Sequence, residues 1–187
     1  MNDKELKEKV KDLQIIVDEE MFTKLKKYAE LLKIWNEKFN LTRIIEKNDI
    51  NLKHFYDSLC IQKAINLYEY NNLVDFGTGA GFPGMVLAIF FKNLKVDLIE
   101  ANAKKCLFLN EIKENLQLEN VNIINKRAED YSKENREKYD IATCRAVSHL
   151  STIIELSVPM IKINGFFVPL KGEIKDEIEE SKSKIKE

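Results

Sequence analysis

The chain has 187 residues, of which 44% are hydrophobic and 33% charged, and its formal net charge is −1. This composition suits one ordinary domain, or one with a small appendage, and argues against a uniformly basic nucleic-acid binder. The longest apolar run, residues 85–91, is too short to cross a membrane, and the start of the chain lacks a signal peptide's apolar segment. Three widely spaced cysteines favour neither a disulfide framework nor a zinc site, so we expect a cytoplasmic protein without bound metal.

Residues 1–70 are predicted to form a helical cap, the first of two domains. A short helix is expected around residues 6–13, and Asp18 is a suitable N-cap for a longer one. Asp49 is expected to open a further helix. Apolar residues at helical spacing predict the core-facing side of the long helix: Phe22, Leu25, Tyr28, Ala29, Leu32, Trp35 and Phe39.

Positive charge is concentrated in the cap, where eight cations stand against four acids between residues 24 and 54. This excess would suit an RNA-binding face with steep salt dependence, and a solvated helix surface explains it equally well. The cations are Lys24, Lys26, Lys27, Lys33, Lys38, Arg43, Lys47 and Lys53.

From residue 71 onward, strand and helix patterns alternate, which predicts a parallel sheet with helices on both faces. Strands are expected at 73–76, 95–100, 120–124, 139–145 and 166–170, and helices at 83–92, 103–116, 129–134 and 150–162. We assign residues 71–187 to this second, ligand-binding domain. Because the chain stops inside a charged helical pattern over 173–187, we expect the last strands of the sheet to be missing.

Residues 73–84 contain four of the six glycines and have the pattern of a strand, a glycine-rich turn and a helix. Glycines let the backbone approach a ligand closely, and the start of the following helix favours negative charge. Pro83 suits the first turn of that helix. The pattern therefore predicts a nucleotide-like ligand at the carboxyl end of the first strand.

Two ligands are compatible with this turn. Gly79-Ala-Gly-Phe-Pro-Gly84 with Glu100 downstream is a pattern of NAD-dependent dehydrogenases, in which the acid binds the ribose. However, Asp75 would repel a pyrophosphate, and Phe82–Pro83 adds bulk where a pyrophosphate needs close approach. Asp75, the glycines, Glu100 and an acid after the third strand, at residues 128–129, favour S-adenosylmethionine, whose sulfonium, ribose and adenine would suit those groups.

Longer motifs resemble one family. The chain is similar to the RsmG (glucose-inhibited division protein B) family from about residue 22 to residue 172. The motifs are Trp35-Asn-x-x-Phe-Asn-Leu-Thr42, Lys53-His-Phe-x-Asp-Ser-Leu59, Asp75-x-Gly-Thr-Gly-Ala-Gly-Phe-Pro-Gly84, Arg127-Ala-Glu-Asp130, Arg145-Ala-Val147 and Leu170-Lys-Gly172. Departures from the family pattern include Phe76, Pro169 in the fifth strand, and the lack of a basic tail.

The resemblance implies a Rossmann-like α/β fold of the class I S-adenosylmethionine-dependent methyltransferases, with an N-terminal helical extension. It also implies methylation of guanine N7 in 16S ribosomal RNA, in the decoding region of the small subunit. The expected partner is that RNA or subunit, bound by a monomer without membrane contact. The family's cofactor contacts correspond to Gly77, Phe82, Ala128, Glu129 and Arg145, to which the residue-based interpretation adds Gly79 and Glu100.

No residue is predicted to act as an acid or a base, because guanine N7 has a lone pair and no proton to remove. Arg145 could hold the cofactor carboxylate or guanine O6, and Lys171 could meet a phosphate. Asn40 and His54 are candidate substrate contacts, with helix capping and packing as their alternatives. A dehydrogenase and a non-catalytic RNA binder in ribosome assembly remain alternative functions.

Overall fold

The computed structural model describes residues 1–145, 148–172 and 177–178. Ala146 and Val147, and all but residues 177–178 of the predicted C-terminal charged helix, lie outside this part of the chain. The N-terminal part contains α1 (Asp3–Asp12), α2 (Glu19–Phe39), α3 (Lys47–Ile50), a π-helix (Asn51–Tyr56) and α4 (Asp57–Leu59). The last three follow each other without a break, and we call residues 47–59 the composite helix.

The predicted start of α2 is confirmed, because the Asp18 side chain accepts a hydrogen bond from the Met21 N–H at 2.9 Å. The helix ends at Asn40, whose φ of 48° is left-handed. The predicted core-facing positions from Phe22 to Leu32 are buried, which confirms this part of the prediction. Phe39, at the end of the helix, is 37% exposed. The expected helix start at Asp49 was two residues late, since α3 begins at Lys47.

Five strands form a parallel sheet, as predicted, and their order in the sheet is β3-β2-β1-β4-β5. Their bounds are β1 (Asn72–Phe76), β2 (Lys95–Ile99), β3 (Val121–Ile124), β4 (Tyr139–Arg145) and β5 (Ile161–Leu170). β5 lies at the edge of this order, and an edge strand can carry a proline. Pro169 therefore does not interrupt β5, and it pairs in register with Cys144.

The helices between the strands are α5 (Gly84–Phe90), α6 (Ala103–Asn115), α7 (Ala128–Glu134) and α8 (Leu150–Ser157). The prediction of one helix over 150–162 was wrong at its end, because a 3-10 turn with Pro159 at its start replaces the last α-helical residues. β5 then begins at Ile161. Pro83 is the N-cap of α5, not part of its first turn.

One hydrophobic core joins the cap to the sheet. Buried residues of α2, the composite helix, α5 and α6 belong to the same cluster, which includes Leu25, Phe55, Met85 and Phe108. A smaller cluster around Val74 and Ile153 fills the opposite face of the sheet under α7 and α8. The cap is therefore packed directly onto the helical layer that follows β1 and β2. The division into domains at residue 70 stays a prediction.

In the part of the chain that is described, no helix is both long and apolar enough to span a bilayer.

Gly84 sets how closely α5 approaches the sheet. A Cβ added there would contact Leu98 Cδ2, and it would lie 2.8 Å from Asp75 Cβ. We expect Gly84→Ala to lower the free energy of unfolding by about 1–3 kcal/mol, as overpacking of a tight core does, in urea titrations. Gly172→Ala is the matched control, because none of the described residues beyond its chain neighbours has an atom within 4 Å of its added Cβ. Equal stability of the two variants would contradict this interpretation.

Candidate functional site

The carboxyl ends of the five strands lie along one edge of the sheet, since all strands are parallel. The glycine-rich turn at residues 77–83, here called the glycine loop, follows β1, and Glu100 directly follows β2. α7 begins at Ala128 soon after β3, while Arg145 ends β4 and Lys171 follows β5. The predicted site residues that follow the strands therefore meet at the edge where open α/β sheets bind ligands.

The glycine loop is anchored to the neighbouring strand. The N–H groups of Gly77 and Thr78 both donate to the Ile99 carbonyl oxygen, at 2.8 and 3.2 Å. Gly79 has a φ of 62°. Among the described residues beyond its chain neighbours, only the Gly77 carbonyl oxygen lies within 4 Å of a Cβ added there, at 4.0 Å. Gly79 thus combines a left-handed backbone with open space beside it, as a residue that lines a ligand cradle would.

Glu100 holds the glycine loop and the start of α6 together. One carboxylate oxygen accepts the Gly79 N–H at 2.9 Å, and the other accepts the Asn102 N–H at 2.8 Å. The side chain is almost fully buried. Each carboxylate oxygen has a second lone pair, so Glu100 can still accept hydrogen bonds from a diol. Its predicted position beside the glycine loop is confirmed, and its contact with ribose stays a prediction.

Asp75 lies beneath the glycine loop and is completely buried. Its Oδ2 accepts the Thr78 hydroxyl at 2.6 Å and the Gly84 N–H at 2.8 Å, while Oδ1 has no partner among the described residues. The first N–H group of α5 therefore donates to Asp75. Burial raises the pKa of Asp75 from 3.8 to about 7, against the lowering effect of these hydrogen bonds.

Phe82 connects the glycine loop to the cap. Its ring stacks on the His54 ring, with the ring centroids 4.2 Å apart. It also stacks on the Tyr28 ring, with the centroids 5.3 Å apart. The Tyr28 hydroxyl donates to the Ala80 carbonyl oxygen at 2.5 Å. The Phe82 side chain is thus buried against cap residues, and its predicted role in cofactor binding stays a prediction.

Arg145, at the end of β4, contacts both the glycine loop and the cap. Its guanidinium carbon lies 4.9 Å from the Phe82 ring centroid, in cation–π geometry. Nη1 donates to the Lys53 carbonyl oxygen, and Nη2 donates to His54 Nδ1, each at 2.8 Å. Burial lowers the pKa of Arg145 from its usual value, and Asp57 acts in the opposite direction.

These contacts determine the protonation of His54. Arginine only donates, so Nδ1 is the acceptor and the ring proton is on Nε2, which lies 3.0 Å from the Thr42 hydroxyl. Burial and the charge of Arg145 lower the pKa of His54 to about 4. His54 is therefore neutral near pH 7, and its basic nitrogen is occupied by Arg145. A packing role is confirmed, and a substrate contact stays a prediction.

A cavity of about 850 Å³ lies between the composite helix and the ends of β4 and β5. Its lining includes His54, Asp57, Arg145 and Lys171. The Lys171 ammonium group already has partners, because it donates to the Ser148 carbonyl oxygen and to Glu177 Oε2, at 2.7 and 2.6 Å. The cavity is large enough for a nucleobase. A second cavity of about 570 Å³ lies at the opposite, amino ends of β2 and β3.

The remaining predicted residues lie at the margins of the site. Asn40 caps α2 with its backbone N–H, and its exposed side chain makes no hydrogen bond to a described residue. Ala128 and Glu129 form the start of α7, with Glu129 exposed. The substrate contact of Asn40 and the adenine contacts of Ala128 and Glu129 stay predictions.

Three contributors were not given a role by sequence reasoning, namely Tyr28, Thr42 and Asp57. Tyr28 was only one apolar position in the pattern of α2, and nothing in that pattern points to the glycine loop. Thr42 and Asp57 stand inside the motifs of the family resemblance, which was the available signal.

The positive charge of the cap is partly neutralised within the chain. Lys24, Lys26, Lys47 and Lys53 pair with acids of the cap, and Lys27 donates to the Asn115 carbonyl oxygen. Three exposed cations, Lys33, Lys38 and Arg43, form no ion pair with a described residue. An RNA-binding face would therefore be narrower than the cation count indicates.

The residues present fit S-adenosylmethionine. The open space beside Gly79 accepts a ligand close to the backbone, Glu100 suits a ribose diol, and the unpartnered Asp75 Oδ1 lies directly beneath the same loop. A pyrophosphate, in contrast, would be placed next to the Glu100 carboxylate at the glycine loop, which repels it. The chemistry of the donor set therefore favours a zwitterionic, ribose-containing ligand.

Solved structures share this fold. One is an S-adenosylmethionine-dependent O-methyltransferase from Thermotoga maritima, with a TM-score of 0.58 and 19% identity over 83% of this chain and 54% of that one. Another is a methyltransferase from Aquifex aeolicus, with a TM-score of 0.54 and 19% identity over 74% of this chain and 78% of that one. The predicted Rossmann-like fold of the class I methyltransferases is thus confirmed.

Sequence comparison defines the family. The model of the family GidB, rRNA small subunit methyltransferase G, matches residues 21–187. A curated Ribosomal RNA small subunit methyltransferase G from Fusobacterium nucleatum is 45% identical over 96% of this chain and 77% of its own length. The Ribosomal RNA small subunit methyltransferase G from Mycoplasma capricolum is 46% identical over 86% of this chain and 71% of its own length.

The chain therefore belongs to the rRNA small subunit methyltransferase G family, as its motifs predicted. It is a methyltransferase, and its cofactor is S-adenosyl-L-methionine, the methyl donor of this class. The family assignment rules out the alternative function as a dehydrogenase.

The raised pKa of Asp75 predicts a pH dependence of stability. The folded protein keeps the proton up to about pH 7, whereas the unfolded chain loses it near pH 3.8. The stabilisation by the Asp75 proton is complete below about pH 4. It falls by about 1.4 kcal/mol per pH unit as the pH rises from there, and it is lost once the pH has passed 7. We expect this fall in urea titrations of the wild type relative to Asp75→Asn.

Asp130→Asn is the control, because the Asp130 side chain is 58% exposed, and it should follow the wild type. Parallel profiles for the wild type and Asp75→Asn would show that Asp75 does not titrate in this range.

Proposed function

We propose that this protein transfers the methyl group of S-adenosylmethionine to N7 of a guanine in 16S ribosomal RNA. The family assignment supports ribosomal RNA of the small subunit as the substrate. The structural observation that carries the proposal is the position of Arg145, which contacts Phe82 of the glycine loop and also lines the cavity beneath the composite helix. A base in that cavity would lie next to a cofactor on the loop.

The bound donor supplies an electrophilic methyl carbon on a positively charged sulfur. For the cofactor, the proposed contacts are Gly77 and Gly79 through the backbone, and Glu100 at the ribose. Phe82 would support the loop from behind. Ala128 and Glu129 are proposed to border the adenine, because they follow β3, the strand next to β2.

Orientation is the main contribution of the chain to this reaction. The lone pair of N7 displaces the sulfur without loss of a proton, so alignment and a tolerant polar surrounding suffice. His54 fits this chemistry, because its basic nitrogen accepts from Arg145 and cannot also serve as a general base. Arg145 has N–H groups for guanine O6 or the cofactor carboxylate.

The RNA backbone is proposed to follow the exposed end of α2, where Lys38 and Arg43 flank Asn40 in sequence. Lys171 would act at the rim of the cavity if a phosphate displaced Glu177 from its ammonium group. The proposal places a monomeric enzyme in the cytoplasm, where small subunits are available.

The test is methyl transfer from labelled S-adenosylmethionine to small subunits, or to their free RNA, purified from a strain that lacks this methylation. Nucleoside analysis of the product should show 7-methylguanosine at one position. Cofactor binding without any transfer to RNA would favour the non-catalytic assembly role, and label on another atom would contradict the N7 assignment.

Gly79→Asn tests the cofactor cradle. Asparagine tolerates left-handed φ, so the fold should survive, while its side chain enters the open space beside the loop. S-adenosylhomocysteine at 100 times its Kd should stabilise the wild type by about 2.7 kcal/mol, and it should leave the thermal midpoint of Gly79→Asn unchanged. NADH should stabilise neither protein. Equal stabilisation of wild type and variant by S-adenosylhomocysteine would place the cofactor elsewhere.

A further inference from the structure

Asp57 is a cavity residue to which neither the motifs nor the fold class assigns a role. It is the first residue of α4, directly after the π-helix, and its side chain is 47% exposed. Its Oδ2 lies 3.5 Å from Arg145 Nη1, and both residues line the cavity of about 850 Å³. A carboxylate and a guanidinium therefore stand side by side on one wall.

The ion pair leaves both groups able to bind a ligand. It is a single 3.5 Å contact, not a bidentate pair, and the closer partners of Arg145 are the Lys53 carbonyl oxygen and His54 Nδ1, at 2.8 Å. Those two hydrogen bonds use two of the five N–H groups of the guanidinium. These hydrogen bonds and the Phe82 ring, which packs against the face of the guanidinium, together fix its orientation. The half-exposed carboxylate keeps most of its acceptor positions.

The order of these groups matches the edge of guanine. Along that edge the base presents O6 as an acceptor, then N1–H and the N2 amino group as donors, and N7 lies on the other side of O6. A donor (Arg145) beside an acceptor (Asp57) complements this order. Adenine has the reverse order at the corresponding positions, a donor at N6 and an acceptor at N1, so the same pair would repel it.

We propose that Asp57 selects guanine by accepting hydrogen bonds from N1–H and the N2 amino group, while Arg145 donates to O6. This inference rests on the proposed function and adds the residue that recognises the base. A site built to hydrogen-bond a group of the substrate disfavours an analogue that lacks this group, because the polar side chain of the site then loses a partner. The proposed pairing also leaves N7, next to O6, free for the methyl group.

The experiment compares guanine with inosine, which lacks only the N2 amino group, at the methylated position of small-subunit RNA assembled by ligation. The wild type should methylate the guanine substrate about 10-fold faster or more, the value of one hydrogen bond to a charged group. In Asp57→Ala the ratio of the two rates should fall to about 1, whatever the absolute rates are.

Asp49→Ala is the matched control, because the Asp49 side chain is 46% exposed and precedes the π-helix in the composite helix. It should keep the wild-type ratio. If Asp57→Ala fails to fold in thermal melts, Asp57→Asn replaces it, and one acceptor fewer should still lower the ratio.

A wild-type ratio near 1, or an unchanged ratio in a folded Asp57 variant, would overturn the inference and leave the methyltransferase proposal intact. If the wild type transfers no methyl group to the guanine substrate, the proposed function itself fails.

Discussion

The site depends on the insertion of the Phe82 ring between the cap and the sheet. Phe82 belongs to the glycine loop, yet its ring stacks on Tyr28 of α2 and on His54 of the composite helix. Arg145, at the end of β4, packs on the same ring. Since aromatic contacts of this kind are specific in geometry, this one ring fixes the positions of the glycine loop, the composite helix and Arg145 relative to each other.

The acids of the site differ in environment, and this difference separates their roles. Asp75 is sealed beneath the glycine loop, where burial raises its pKa to about 7. Glu100 accepts two backbone N–H groups and holds two segments together, while Asp57 is half-exposed in the cavity. Asp75 thus supports the loop from inside, and Glu100 links the loop to α6. Asp57 is the acid that is accessible to a ligand.

Much of the fold could be predicted, because apolar periodicity and glycine spacing are local signals. The parallel sheet followed from the alternation of strand and helix patterns, and the carboxyl-edge positions of Glu100 and Arg145 followed from the parallel sheet. Local patterns could not show that Tyr28 reaches the glycine loop, that the Lys171 ammonium group is paired with Glu177, or that four cap lysines are paired with acids. Those contacts join distant segments, and side-chain partners across such distances leave no periodic trace. The helix predicted over 150–162 ends early because Pro159 stands in a 3-10 turn, although apolar spacing continues past Ser157.

The hydrogen bond from Tyr28 to Ala80 has a consequence for the dynamics of the enzyme. Ligand-binding loops usually open by local fluctuations that cost little free energy. Here, the loop backbone is bonded to a tyrosine from the middle of α2, which shares one continuous core with α5 and α6. Opening the loop on that side would break this hydrogen bond, whose donor Tyr28 is completely buried. The loop is therefore held more firmly at Ala80 than at Gly79, where open space adjoins the backbone.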